Sequence, residues 1–268
     1  MSAYSAPSPV RHSPIFWLAS DTWELTKRSL RHIMRDPDQL VSVTIQPVLL
    51  VVMFRYLLGG AISTGSNESY INFLMAGIFI ETAALTATTT STSVAADMRT
   101  GTIDRFRALP MAKSAVLTGH ILSDLVRSSI GMVVMVAVGL AVGFRPAAGP
   151  VGWLAAIAIT LLVTFSLSWI SAVLGLLSNS VEAVQQISMV LIVPILFSSA
   201  FVPTQSMTSW IRIVADNQPM TQAIDAVRAL LLGQPAGHYL LATLLWFSGL
   251  FAASCLAANL LFHRRNSR

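Results

Sequence analysis

Six stretches of about twenty mostly apolar residues, near 41–59, 71–95, 120–144, 151–177, 183–203 and 239–262, constrain this chain more than anything else in it. Runs of that length are compatible only with helices in hydrocarbon, where each backbone amide and carbonyl must find its partner within its own segment. Composition agrees: 54% of the 268 residues are hydrophobic and 11% are charged, with a mean hydropathy of +0.68, too apolar for a water-soluble domain of this size. The expected fold class is an all-α membrane protein, a single domain over residues 1–268 with six transmembrane helices.

The charges orient it. Of 17 Lys and Arg, all but Arg55, Arg145, Arg212 and Arg228 lie before the first run, around the connection between the second and third, or after the sixth. By the positive-inside rule this predicts a multi-pass protein of the cell (plasma) membrane with both termini and that connection cytoplasmic, which an even number of spans satisfies. The pI near 10 is then explained by membrane lipid as partner, with no nucleic acid. The N-terminus has no charged segment followed by an apolar core and cleavage site, so the first span is expected to serve as its own insertion signal. The lone Cys255 falls within the last run, and no disulfide, metal or redox site is expected.

Ahead of the first span, Asp21 with Glu24 forms an N-terminal capping pair and Asp36-Pro37 a stop, predicting a helix over 21–36. Trp23, Thr26, Leu30, Ile33 and Met34 share one face of it while Lys27, Arg28, Arg31 and Arg35 crowd another, the pattern of a helix lying in the membrane interface.

The one interior segment dense in charge is 97–113. Asp97, Arg99, Asp104, Arg105, Arg107 and Lys113 alternate there with Ile103, Phe106 and Leu109, which are spaced three apart. Gly101 supplies a break, Thr102 an N-cap and Pro110 a stop, so a helix of roughly two turns with one apolar stripe and one charged flank is expected. Such a helix can plug into a partner; equally, its positive charge can simply hold a surface loop on the cytoplasmic side.

The second span carries Glu81, followed by Thr82, Thr86, Thr88, Thr89, Thr90, Ser91, Thr92 and Ser93. Counting ~1.5 Å per residue from Tyr70 puts Glu81 roughly 16 Å down, where an ionised carboxylate costs several kcal/mol unless it is paired or faces water. Two readings follow: a hydroxyl-lined path, or a protonated or Arg55-paired glutamate between closely packed helices. On the third helix His120, Asp124 and Arg127 lie on one side, read as an intrahelical pair plus an interfacial histidine because no nucleophile accompanies them. Gly139 and Gly143 give a weak packing hint.

Between the fifth and sixth spans, residues 204–237 are too periodic for a plain loop. Trp210, Ile211, Ile213 and Val214, then Met220, Ile224, Val227, Leu230 and Leu231, predict two short helices dipping toward the outer leaflet, broken at Asn217-Gln218-Pro219 and ended by Gly233. Arg212, Asp216, Asp225 and Arg228 are expected to lie toward water.

The order of these parts, and a loop spelling Asp97-Met-Arg-Thr-Gly101-Thr-Ile-Asp104-Arg-Phe-Arg107-Ala-Leu-Pro110, make the chain resemble the permease subunits of type-2 ABC exporters, and within them the daunorubicin-resistance, DrrB-like group. The resemblance covers nearly the whole chain. It implies ATP-driven export of a hydrophobic or amphiphilic compound by two permease copies, a homodimer, with two separate ATPase subunits that bind the ATP and Mg. It makes 97–113 a coupling helix seated in an ATPase groove, through Asp97, Arg99, Gly101, Ile103, Asp104, Arg105, Phe106, Arg107, Leu109 and Pro110. The depth of Glu81 and the hydroxyl run make Glu81, Thr82, Thr86 and Thr89 candidates for the substrate path, and the apolar periodicity of 204–237 makes Asn217, Gln218, Pro219, Ile224 and Val227 candidates for an outer, re-entrant gate. No G-x-x-x-x-G-K-S/T stretch occurs, so this chain is expected to be a transport subunit, not an enzyme, and without cofactor of its own. An ion-coupled secondary transporter would favour an internal repeat and several intramembrane acids; a membrane-embedded enzyme would need ligands converging in the spans, whereas His12, His32, His120, His238 and His263 are scattered.

Overall fold

In a computed structural model of the chain, residues 37–59, 69–99, 115–178 and 180–265 are described, and they contain helices and turns with no strand among them. The helix predicted at 21–36 and residues 100–114 of the charged loop lie outside them.

Four helices are long and apolar enough to cross a membrane: α2 (Tyr70–Arg99), α3 (Ala115–Val142), α4 (Pro150–Leu177) and α9 (Gly237–Arg265). Of these α2 has the most buried apolar window, at 78%, and α9 the least, at 17%. The hydroxyl-rich second span is thus the central helix, packed on α3, α4, the helix of the first apolar run and the helices at 181–188 and 219–231. Its buried Tyr70 to Phe79 half joins Met135, Phe144, Ile159, Val163, Ile195, Ile224 and Val227 in the main core, while Val94, Ile121, Trp169 and Leu176 form a second cluster near Asp97.

The first apolar run is helical from its start: α1 (Pro37–Met53) contains Pro47 and widens into a π turn over Phe54–Leu58. Pro47 removes one amide from the hydrogen-bond ladder without ending the helix. One face of α1 is uncovered, with Ile45, Leu49, Tyr56 and Leu57 each more than half exposed.

The fifth run does not form the continuous span expected over 183–203. It is divided into α5 (Val181–Ser188), a 3-10 turn at Met189–Leu191, α6 (Val193–Leu196) and a series of turns to Val202. Pro194 lacks the amide for an α-helical bond and its ring opposes the preceding turn. Ser198 then competes with the backbone locally, donating to the Ile195 carbonyl at 2.6 Å and accepting from the Ala200 amide at 3.1 Å. The turned chain comes against α2 at Gly77, where a Cβ would stand 2.5 Å from the Ala200 carbonyl oxygen, so only glycine admits this approach.

The segment from 204 begins with a 3-10 turn (Thr204–Ser206) and contains two short helices, α7 (Ser209–Asn217) and α8 (Pro219–Leu231). Pro219 opens α8, and Gly233 follows it at φ +68°, a conformation that favours glycine. The α3–α4 connection, turned by Gly143 at φ +106°, rests on α8: the Ala147 and Ala148 amides both donate to the Leu231 carbonyl, at 3.0 and 3.1 Å.

Candidate functional site

Three polar sets are candidates from the sequence, and the fold treats each differently. Asp97 and Arg99, at the last turn of α2, are the described root of the charged loop. The His120 ring on α3 lies 2.8 Å from the Asp97 carboxylate, and Arg99 sits 3.9 Å from Glu182 of α5. Of the other loop residues, Gly101, Ile103, Asp104, Arg105, Phe106, Arg107, Leu109 and Pro110 lie outside the described residues.

The hydroxyl run of α2 meets α3 and α4 in a buried cluster. Its centre is Asp124, 2% exposed, paired with Arg127 at 3.0 Å one turn on. Thr90 donates to Asp124 Oδ2, Ser168 of α4 donates to the same oxygen at 2.8 Å, and Thr89 accepts from Arg127 Nη1 while its oxygen lies 3.2 Å from Asp124 Oδ1. Ser128 and Thr164 pair at 3.0 Å, and Ser91 meets Ser188 of α5 at 2.5 Å. Spacing alone makes Asp124 and Arg127 a pair on one helix; the pair exists, but it is fully buried and shared by three helices. The available signal is the match between a hydroxyl run on α2 and an acid on α3, two features that sequence reasoning takes separately. His120 is likewise not idle at the interface but joins α3 to α2.

The proposed path residues lie inside this packing. Thr82 and Thr86 are at most 1% exposed, and their hydroxyls donate to the Ile78 and Thr82 carbonyls of their own helix, both at 2.8 Å. Glu81 is 2% exposed, and among the described residues its Oε2 has no hydrogen-bond partner and Arg55 makes no ion pair with it.

At the opposite end from Asp97, Asn217 donates to the Ile213 carbonyl and Gln218 to the Phe197 carbonyl, at 2.8 and 2.7 Å, which fixes the bend before Pro219. Ile224 and Val227 are completely buried, covered by this chain's own helices, while Trp210, Ile213 and Val214 of α7 are more than half exposed. Of the four charges expected toward water, Arg212 and Asp216 are there, as an exposed pair at 3.4 Å. Asp225 and Arg228 are turned inward instead. Arg228 stacks 3.7 Å over the Phe73 ring of α2 and donates to the Phe73 carbonyl at 3.1 Å, to the Ser199 carbonyl at 2.5 Å and to Asp225 Oδ1, which also accepts from Ser199 at 2.7 Å. Their i, i+3 spacing puts both on the side of α8 that faces the turns after α6, where hydrogen bonds replace water. Burial pushes the Asp225 carboxyl above the ordinary carboxylate range, against the opposite pull of Arg228.

Among the described residues no group of His, Cys, Asp and Glu could hold a metal ion. The described arrangement consists of buried polar joints between helices, at both ends of a membrane bundle.

Comparison with known proteins agrees with that character. The chain is 32% identical over 261 residues, 97% of its length and 90% of the relative's, to the daunorubicin resistance ABC transporter permease protein DrrB1 of Streptomyces coeruleorubidus. It is 24% identical over 242 residues, 90% of its length and 87% of the relative's, to the probable doxorubicin resistance ABC transporter permease protein DrrC of Mycobacterium tuberculosis. A putative transport permease, ycf38, of Cyanophora paradoxa is 25% identical over 251 residues, 91% of this chain and 83% of the relative. Residues 20–232 match the family described as ABC-2 type transporter. With its apolar helices and permease relatives, this multi-pass membrane protein belongs to the ABC-2 type transporter family.

Proposed function

We propose that this chain, with a second copy of itself, forms the path by which a hydrophobic or amphiphilic compound, drug-like or lipid-like, is exported across the cell membrane, driven by ATP hydrolysed in a separate ATPase subunit. In this reading both termini and the 97–113 loop are cytoplasmic, the ATPase binds the ATP and Mg, and the loop forms the coupling helix. The relatives' names support the drug-resistance direction. The structural observation that carries the coupling is how the loop's two flanking helices are joined. α2 and α3, which bracket residues 100–114, are held together by Asp97–His120 and, deeper, by Thr89, Thr90, Asp124 and Arg127, with Ser168 bringing in α4. Force applied to the loop is therefore delivered to three helices at once. The closed packing is the resting state, and Glu81, Thr82, Thr86 and Thr89 become path groups when α2 parts from α3 and α4. The α7–α8 bend at Asn217, Gln218 and Pro219, with Ile224 and Val227 beneath it, forms the lid at the outer end.

Ile103, Phe106 and Leu109 are the apolar anchors of the loop in its ATPase groove, and Asp104, Arg105 and Arg107 set its orientation. Phe106→Ala is expected to weaken retention of the ATPase in a detergent pull-down by about 30-fold, the loss for an aromatic anchor of ~2 kcal/mol, while the permease still elutes as a folded species. Undiminished retention together with normal export would remove the loop from the contact.

A further inference from the structure

A cavity of about 370 Å³ opens beside the inward-turned pair of α8, lined by Asp225 and Arg228 together with Phe73, Gln205, Gln234 and Tyr239. Its volume falls in the range of small-molecule sites. Among its described lining residues the charge is balanced, one acid against one guanidinium. Arg228 directs Nε to the Phe73 carbonyl, Nη1 to Asp225 and to Ser199 Oγ at 3.4 Å, and Nη2 to the Ser199 carbonyl, so its fork is engaged with the protein and is not offered to an anion. Asp225 is different. Oδ1 takes both Ser199 and Arg228, whereas Oδ2 accepts from no described residue, so among the described lining groups the pair leaves an acceptor oxygen, not a cation, for a ligand. A carboxylate oxygen beside amide and phenol groups selects hydrogen-bond donors, and the engaged guanidinium leaves phosphate or carboxylate without a partner.

We infer that this cavity binds the head group of an amphiphile rich in hydroxyl donors, a sugar or polyol, whose apolar portion lies along the neighbouring apolar helix surfaces. The phenol of Tyr239 and the amide of Gln205 contribute further hydrogen bonds from the lining, and Phe73, stacked against Arg228, supplies an apolar ring face. The head arrives either with an exported compound or with a membrane glycolipid; only the first source rests on the exporter reading.

The test uses the full-length protein purified in a polyoxyethylene detergent, which has no sugar head. An alkyl β-glucoside bearing a photoreactive diazirine is compared with a phosphocholine of the same alkyl chain and reactive group, and labelled residues are located by mass spectrometry. Labelling by the glucoside is expected at the cavity rim, competed by unlabelled alkyl glucoside and not by the phosphocholine. Gln205→Leu and Tyr239→Phe, which leave the Asp225–Arg228 pair intact, should each weaken it by about five-fold, the loss of one hydrogen bond. Equal labelling by both probes, or unchanged labelling in both variants, overturns the site. In proteoliposomes with the ATPase, glucoside stimulation of ATP turnover identifies the head as belonging to cargo, and labelling without stimulation identifies a lipid. Because the labelling needs neither ATPase nor transport, it fails or succeeds independently of the exporter reading.

Discussion

Asp124→Ala is expected to destabilise the protein by about 3–5 kcal/mol, because it leaves the Arg127 guanidinium buried without its counter-charge. Among the described residues Arg127 Nε already has no partner, so the loss of Asp124 leaves Thr89 as the guanidinium's remaining acceptor. Thr90 and Ser168 lose their shared acceptor in the same step, loosening α2 and α4 from α3. Replacing both charges, as Asp124→Leu with Arg127→Met, should recover most of the loss, since a buried ion pair contributes little net stability over apolar side chains of similar volume. Thermal unfolding of the detergent-solubilised protein, followed by the loss of its monodisperse elution peak, measures both. A single variant as stable as the wild type would mean that this cluster does not hold the three helices together.

Arg228→Ala should cost about 3 kcal/mol by a related route, with a pH dependence of its own. The guanidinium links α8 to the Phe73 carbonyl and ring of α2 and to Ser199 in the turns after α6, so one truncation releases three elements. Arg228→Lys keeps the charge but not the planar fork, and should fall between. Without Arg228, only the raising effect of burial on Asp225 remains strong. A carboxyl with a raised folded pKa binds its proton more tightly in the folded state than in the unfolded one. Stability therefore increases as pH falls from that raised value toward the ordinary 3.8, where the benefit is complete. The deficit of Arg228→Ala relative to wild type should accordingly be larger at pH 8 than at pH 5. A deficit independent of pH would show that Asp225 reaches water once its partner is gone.

What the sequence disclosed and what it concealed divide along physical lines. Apolar length is a local property, so the four long helices were visible as runs, and Pro219 and Gly233 marked α8 because each acts on its own backbone. The fifth run misled because average hydropathy ignores Pro194 and the backbone-seeking hydroxyl of Ser198, which together turn an apolar segment back onto Gly77. Asp225 and Arg228 misled in the opposite sense. Charge predicted water, yet an acid and a guanidinium three residues apart satisfy one another, and Ser199 and Phe73, far away in sequence, complete the enclosure. Similarly, nothing in the hydroxyl run of α2 announces that it meets Asp124, 34 residues from Thr90. Partners across helices are set by packing, which no spacing within one helix encodes.

The most direct test of the account is transport in proteoliposomes containing this chain alone, this chain with its ATPase, and this chain with a hydrolysis-deficient ATPase, each with and without ATP and with ion gradients collapsed. An ATP-driven permease predicts movement of an apolar cationic dye only when the chain, the active ATPase and ATP are all present. Movement by the chain alone under an ion gradient, unchanged by ATP or the ATPase, would contradict it.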